Sequence, residues 1–190
     1  TAMNIKSPTD AFTFCFVGRI VKDKGINELV NAFNMLNKEH KKTHLILVGP
    51  FEKELDPVEP QTEELISNHE NISFVGYQND IRPYLAASDA FVFPSYREGF
   101  PNVVLQAGAM ELPSIVTDIN GCNEIIIDGE NGKIIPPQDT KALYKAMKYF
   151  VEHKDDLVKH MATNARPMIE SRFDQKMVWN AILDMYNSLN

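Results

Sequence analysis

Only two cysteines, Cys15 and Cys122, occur in the 190 residues. That is too few for a disulfide framework or a thiolate zinc site, and both read as reduced thiols of a cytosolic chain. Long apolar runs are missing as well. Stretches such as Ala90-Phe91-Val92-Phe93 are strand-sized, far short of the ~20 residues that span a bilayer. The first residues, TAMNIKSPTD, contain no apolar core of the kind a secretory signal needs. Positive charge is scarce: 19 Lys and Arg stand against 26 Asp and Glu, a formal net charge of -7. The balance argues against nucleic-acid binding but leaves room for an anionic small ligand, which answers to local charge. Gly-x-Gly-x-x-Gly and Gly-x4-Gly-Lys-Ser/Thr are both absent, which removes the strongest sequence support for dinucleotide or ATP binding. The five histidines, His40, His44, His69, His153 and His160, show no ligand spacing and are expected at the surface or an interface. Asn71-Ile72-Ser73 spells a glycosylation sequon, read as idle without a signal peptide. What is present is a globular balance of 44% hydrophobic and 24% charged residues, enough for a real core.

Short β-rich runs alternate with helical periodicity from end to end. Phe12 to Gly18 reads as a strand buried on both faces. Ile26, Leu29, Val30, Phe33 and Leu36 form the i, i+3, i+4, i+7 stripe of an amphipathic helix. Further strands are expected at His44 to Val48, Ile72 to Val75, Ala90 to Phe93, Ser114 to Thr117 and Lys133 to Ile135. Helices are expected at Gln61 to His69, Asp80 to Ala87, Pro101 to Met110, Asn123 to Ile127, Thr140 to Glu152, Asp155 to Glu170 and Gln175 to Leu189. Pro167 should kink or end its helix, because it removes an amide donor. Continuous β-branched runs indicate a parallel sheet covered on both faces. The repetition predicts an α/β fold: a Rossmann-like, doubly wound parallel sheet of about six strands with helices on both faces. Residues 1–10 read as a linker remnant, and 11–190 as one domain.

Such sheets bind ligands beyond the carboxyl ends of their strands, so the chemistry is sought in segments 18–25, 49–52, 76–80, 94–102 and 117–123. The first runs Gly18-Arg19-Ile20-Val21-Lys22-Asp23-Lys24-Gly25. Arg19 and Lys24 there make either a pyrophosphate clamp, with Arg19 gripping two oxygens and Lys24 acting as a point charge, or a solvated turn. The second notable segment is Pro94-Ser95-Tyr96-Arg97-Glu98-Gly99-Phe100-Pro101-Asn102-Val103. Pro101 suits the first position of a helix, which would leave the amides of Asn102, Val103 and Val104 free to meet an anion. Glu98 suits ligand hydroxyls such as a sugar offers, or is a surface acid before a helix. Gln106 lies one turn deeper on the face of Asn102, or simply points to solvent.

The string PSYREGFPNVVLQAGAMELPSIVTDINGCNEII, with FVGRIVKDKGINELVNAF, HLILVGP and ISFVGYQNDIRPYLAASDAFVFPS in order before it, resembles the C-terminal domain of the retaining glycosyltransferases of family 4, which have the GT-B fold. The likeness runs from about Phe12 to Leu189. It implies that Arg19 and Lys24, beside Gly18, hold the donor diphosphate. It implies that Glu98 contacts the donor sugar's hydroxyls, and that Gly99, Phe100, Pro101, Asn102 and Val103 approach sugar and phosphate through backbone amides. Gln106 stands where the family's second glutamate contacts the ribose, a departure that keeps a hydrogen-bonding group. Gly49, Gly76 and Tyr77 occupy positions that flank the base. Glu111 ends a helix where glycine is common in such proteins.

By the same resemblance the chain is the donor-binding half of a longer, two-domain enzyme. The full-length protein would transfer a sugar from a nucleotide-sugar donor to a glycan or lipid-linked acceptor in cell-surface polysaccharide biosynthesis. It would do so with retention and with no metal or other cofactor, in keeping with the lack of any Asp-x-Asp. Glu98, Arg19 and Lys24 would carry the catalysis. The partner would be the N-terminal domain of the same chain, met by a final helix carrying Trp179 and Tyr186, and this half alone is expected to be inactive. The place implied is the cytoplasm, peripheral at the inner membrane face in the longer protein. Two alternatives remain open: a sugar-nucleotide epimerase of the same architecture, and a non-catalytic binding or scaffold protein with Gln106 as its scar.

Overall fold

The computed structural model describes residues 10–52, 54 and 56–188. The expected linker, save Asp10, and the end of the last helix at Leu189 lie outside the described residues. Six parallel strands form one sheet: β1 (Phe12–Val17), β2 (Thr43–Val48), β3 (Ile72–Phe74), β4 (Ala90–Phe93), β5 (Ser114–Thr117) and β6 (Gly132–Ile135). Their spatial order is β3-β2-β1-β4-β5-β6. This is the doubly wound arrangement expected from the alternation, with the order reversing between β1 and β4. Phe14 pairs with Ala90 and Cys15 with Phe91 across that seam. All six residues of β1 are buried, as are the four of β4 and of β5. Their continuous apolar runs are therefore explained by layers of helix on both faces.

The helices are α1 (Ile26–Glu39), α2 (Pro60–Asn68), α3 (Arg82–Ala86), α4 (Asn102–Ala109), α5 (Cys122–Ile125), α6 (Thr140–Glu152), α7 (Lys159–Phe173) and α8 (Gln175–Ser188). The predicted stripe of α1 is fully buried from Ile26 to Leu36. Alongside it lies α6, where Leu143, Met147 and Phe150 are buried and the Asp139 side chain caps the first turn by accepting from the Ala142 amide at 2.8 Å. Ile169 of α7 packs over Gly108 of α4. None of the described helices is long and apolar enough to cross a membrane.

Three expectations are corrected. The helix foreseen over Asp155 to Glu170 opens as a π-turn at Lys154–Val158, and α7 then runs on to Phe173 with Pro167 inside it. Pro167 does not end the helix because it sits on the exposed side. The residue whose carbonyl it orphans, Thr163, is exposed as well, while Met161, Ala165 and Ile169 hold the other face in the core. His44 is not at the surface. It lies fully buried in β2 with Nε2 3.0 Å from Ser73 Oγ, and burial lowers its pKa to about 4. Pro101 is the N-cap of α4, not its first residue.

Glu111 adopts φ 63° just past α4. The left-handed position that glycine commonly fills is thus held here by a residue with a Cβ. Asn71 of the sequon is buried, its amide donating to Asn37 Oδ1 at 3.2 Å.

Candidate functional site

The chain leaves β1 through Gly18 and Arg19 and turns at once. Gly18 N–H donates to the Val48 carbonyl, and Ile20 N–H to the Pro50 carbonyl, so the loop after β2 lies against the loop after β1. Gly49 sits at φ 141°, and a Cβ there would fall 1.8 Å from the Gly18 carbonyl oxygen. Only a residue with no side chain lets the two loops approach this closely.

A single 3-10 turn at Lys22–Lys24 then delivers Gly25 at φ 70°. Gly25 lies under the exit of β4, where a Cβ would be 2.1 Å from the Pro94 carbonyl oxygen. Next to this contact, Tyr96 N–H donates to the Asp23 carbonyl at 2.8 Å. These two contacts bring the first loop against the fourth-strand loop, and they decide where Lys24 points. Its Nζ donates to Glu98 Oε1 at 2.5 Å, with the two side chains only 14% and 17% exposed. Ser95 Oγ donates to the same oxygen at 2.8 Å. Thr117 Oγ1, at the end of β5, donates to the Ser95 carbonyl at 2.5 Å. Buried Cys122 is next to this cluster. Burial, reinforced by the Glu98 carboxylate, pushes its thiol up to about 12, so it stays protonated and unreactive.

Arg19 points elsewhere. Its Nη1 donates to Glu52 Oε2 at 2.9 Å on a partly exposed surface. Asp23 lies 3.8 Å from the exposed Arg97.

At the start of α4 the amide of Val104 already donates to the Pro101 carbonyl at 3.0 Å. The expectation of three free amides is therefore corrected to two. Those of Asn102 and Val103 have no hydrogen-bond acceptor among the described residues.

A cavity of about 410 Å³ opens between these elements, and Gly18, Arg19, Gly49, Tyr77, Val103 and Gln106 all line it. Gln106 also faces a second hollow of about 460 Å³, shared with Asp80, Arg82 and Leu85 of the α3 region. Arg19 borders a third, about 550 Å³, with Lys22, Asp23, Tyr96 and Arg97. Of the predicted residues, Gly76 sits at the end of β3, its carbonyl accepting from the Gly49 amide at 2.9 Å. Gly99 and Phe100 are exposed, with the Phe100 ring 5.6 Å from that of Phe173. A Cβ on Gly99 would meet nothing within 4 Å.

Sequence reasoning assigned no role to Ser95, Thr117, Asn79, Ile81 or Glu52. The first two stand at the ends of β4 and β5, where the fold rule directs the search. For Glu52 no signal existed, because its partner lies 33 residues away. The arrangement can do three things chemically. It can hold an anion by Lys24 and two helix amides, joined by Arg19 once that leaves Glu52, accept hydrogen bonds on a carboxylate fixed in place, and take a group into the cavity that Gly49 and Tyr77 line.

Comparison with known proteins gives a concordant picture. A family profile described as glycosyl transferases group 1 matches residues 3–168. The capsular polysaccharide biosynthesis glycosyltransferase CapM of Staphylococcus aureus is 30% identical over 94% of this chain and 47% of its own length. The putative teichuronic acid biosynthesis glycosyltransferase TuaC of Bacillus subtilis is 29% identical over 96% of this chain and 43% of its own. The chain thus spans about half the length of the curated relatives it matches. Among solved structures, the sucrose-phosphate synthase of Thermosynechococcus elongatus superposes with a TM-score of 0.81 and 28% identity, over 96% of this chain and 46% of that one. The fold is Rossmann-like and matches one half of a GT-B protein. The chain belongs to the glycosyl transferases group 1 family.

Proposed function

We propose that this chain is the donor-binding, C-terminal half of a retaining, metal-independent, hexosyl-type glycosyltransferase. The whole protein would move a sugar from a nucleoside diphosphate sugar to a glycan or lipid-linked acceptor, at the cytoplasmic face of the membrane, in building a cell-surface polysaccharide. The observation that carries the reading is the meeting of the loops after β1 and β4 at the strand-order reversal, where Lys24 pairs with Glu98, the amides of Asn102 and Val103 have no acceptor among the described residues, and Arg19 lines the adjoining cavity. The relative CapM is described as a capsular polysaccharide biosynthesis glycosyltransferase and TuaC as a putative teichuronic acid biosynthesis one, which favours transfer over epimerisation or a scaffold role.

In this reading the bond from the anomeric carbon to the diphosphate oxygen breaks as an acceptor hydroxyl oxygen bonds that carbon on the same face, the hydroxyl proton passing to the departing diphosphate. Negative charge grows on the departing diphosphate. The two α4 amides, Lys24 with the N–H donors left beyond its bond to Glu98, and Arg19 once drawn off Glu52 would be the donors toward that charge. Glu98 holds the sugar by its hydroxyls, a positioning contribution. Gly49, Gly76 and Tyr77 flank the base, and Gln106 reaches the ribose with an amide that both donates and accepts. The acceptor enters from an N-terminal domain, and closure of the two domains excludes water.

Calorimetric titration with UDP, GDP and ADP, then with sugar nucleotides of the base that binds, tests the reading. Saturable binding to one diphosphate, lost in Arg19→Ala, is expected. Binding of none of the three, by this chain and by the full-length protein alike, would refute it.

A further inference from the structure

Ser95 is fully buried at the end of β4. Its hydroxyl has one proton to give, and three acceptors lie within reach. They are the Asp23 carbonyl at 3.3 Å, the Arg97 carbonyl at 3.2 Å and Glu98 Oε1 at 2.8 Å. The shortest is also the charged one, and a hydrogen bond to a carboxylate is the stronger kind. Either carbonyl would have sufficed merely to satisfy a buried hydroxyl. The same Oε1 takes the Lys24 ammonium, so two donors from two different loops meet on one oxygen. Glu98 Oε2 has no hydrogen-bond partner among the described residues. Ser95 is itself held from below, since Thr117 Oγ1, fully buried at the end of β5, donates to the Ser95 carbonyl.

From this geometry we infer that Ser95 is a positioning residue. Its hydroxyl anchors Glu98 by Oε1, with Thr117 fixing the strand end beneath, so that Oε2 alone is presented to the hydroxyls of the donor sugar. The inference rests on the reading of Glu98 as the sugar-contacting acid. A glutamate has three side-chain torsions, and freezing them before the ligand arrives removes an ordering cost from the binding step. Lys24 cannot do this alone, because an ammonium on a four-carbon stem is a mobile point charge. A hydroxyl carried on the Cβ of a residue at a buried strand end, two bonds from the backbone, is a fixed one.

The test compares wild type with Ser95→Ala, a change that removes one oxygen and no packing volume beyond it. Affinities are measured for UDP and UDP-glucose, or for GDP and GDP-mannose or ADP and ADP-glucose if one of those bases binds. In parallel, denaturant unfolding of Lys24→Ala, Glu98→Ala and the double variant gives the Lys24–Glu98 coupling, with and without Ser95→Ala. Ser95→Ala is expected to weaken the sugar nucleotide about five- to tenfold while the bare diphosphate stays within about twofold. The coupling is expected to fall below half. Equal weakening of both ligands, or of neither, would overturn the inference, as would an undiminished coupling. If neither this chain nor the full-length protein binds a diphosphate, the donor reading fails instead, and the ligand-free coupling still decides whether Ser95 holds Glu98.

Discussion

Replacing Gly25 by alanine perturbs the closest of the contacts that set the first loop against the fourth-strand loop. Two costs add. A non-glycine residue at φ 70° loses about 1–2 kcal/mol to its own backbone. The new Cβ would also lie 2.1 Å from the Pro94 carbonyl oxygen and 2.8 Å from its carbon. Backbone atoms cannot swing aside as a side chain does, so the loop must retreat by about 1 Å to restore ordinary contact, an overpacking cost of about 1–3 kcal/mol. The expected loss is therefore about 2–5 kcal/mol of folding stability. The retreat also stretches the bond from Tyr96 N–H to the Asp23 carbonyl and carries Lys24 away from Glu98, so nucleoside diphosphate affinity falls too. Denaturant unfolding followed by far-ultraviolet circular dichroism measures the first effect, and calorimetric titration the second. Gly99→Ala is the internal control, because a Cβ there meets nothing, and its stability should stay within about 0.5 kcal/mol of wild type. A Gly25→Ala chain as stable as Gly99→Ala would refute the reasoning.

Three further outcomes are expected. Glu52→Gln releases Arg19 from a partly exposed ion pair worth at most about 1 kcal/mol. Diphosphate affinity should rise about two- to fivefold at low salt, with the gain fading as salt screens the pair; unchanged or weaker binding would count against Arg19 as the clamp. Glu111→Gly relieves the left-handed backbone after α4 and should raise stability by about 0.5–1 kcal/mol, which a drop in the unfolding midpoint would contradict. His44 is held neutral, its pKa lowered to about 4 by burial, whereas the unfolded chain protonates it near 6.5. The unfolded state therefore binds more protons between these values, so stability is full above about 6.5 and is lost, by up to about 3 kcal/mol, as pH falls toward 4. In His44→Val that decline should shrink, and an identical pH slope in the two proteins would remove His44 as its source.

The alternation of unbroken apolar runs with 3.6-period stripes was enough to determine six parallel strands, the helical layers and the crevice to search. Hydrophobic periodicity is local, and burial on both faces leaves its mark on every residue of a run such as FTFCFV. Residue types next to strand ends also marked Arg19, Lys24, Glu98 and Gln106 before any coordinates. What local pattern could not carry is pairing across the chain. Lys24 and Glu98 are 74 residues apart, and their ion pair exists only because Gly25 passes beneath Pro94. Arg19 faces Glu52 for a similar reason, the folding of the loop after β2 onto the loop after β1. His44 looked like a surface histidine because one polar residue in a strand carries no sign of what covers it. Pro167 reads as a kink or a helix end because the cost of a lost amide is local; that the helix runs on rests on the packing of Met161, Ala165 and Ile169, which is not. Composition and period thus determined which elements form. The close approaches that glycine permits, and the burial of particular polar groups, were decided only when the layers came together, because those energies depend on distances between residues far apart in the chain.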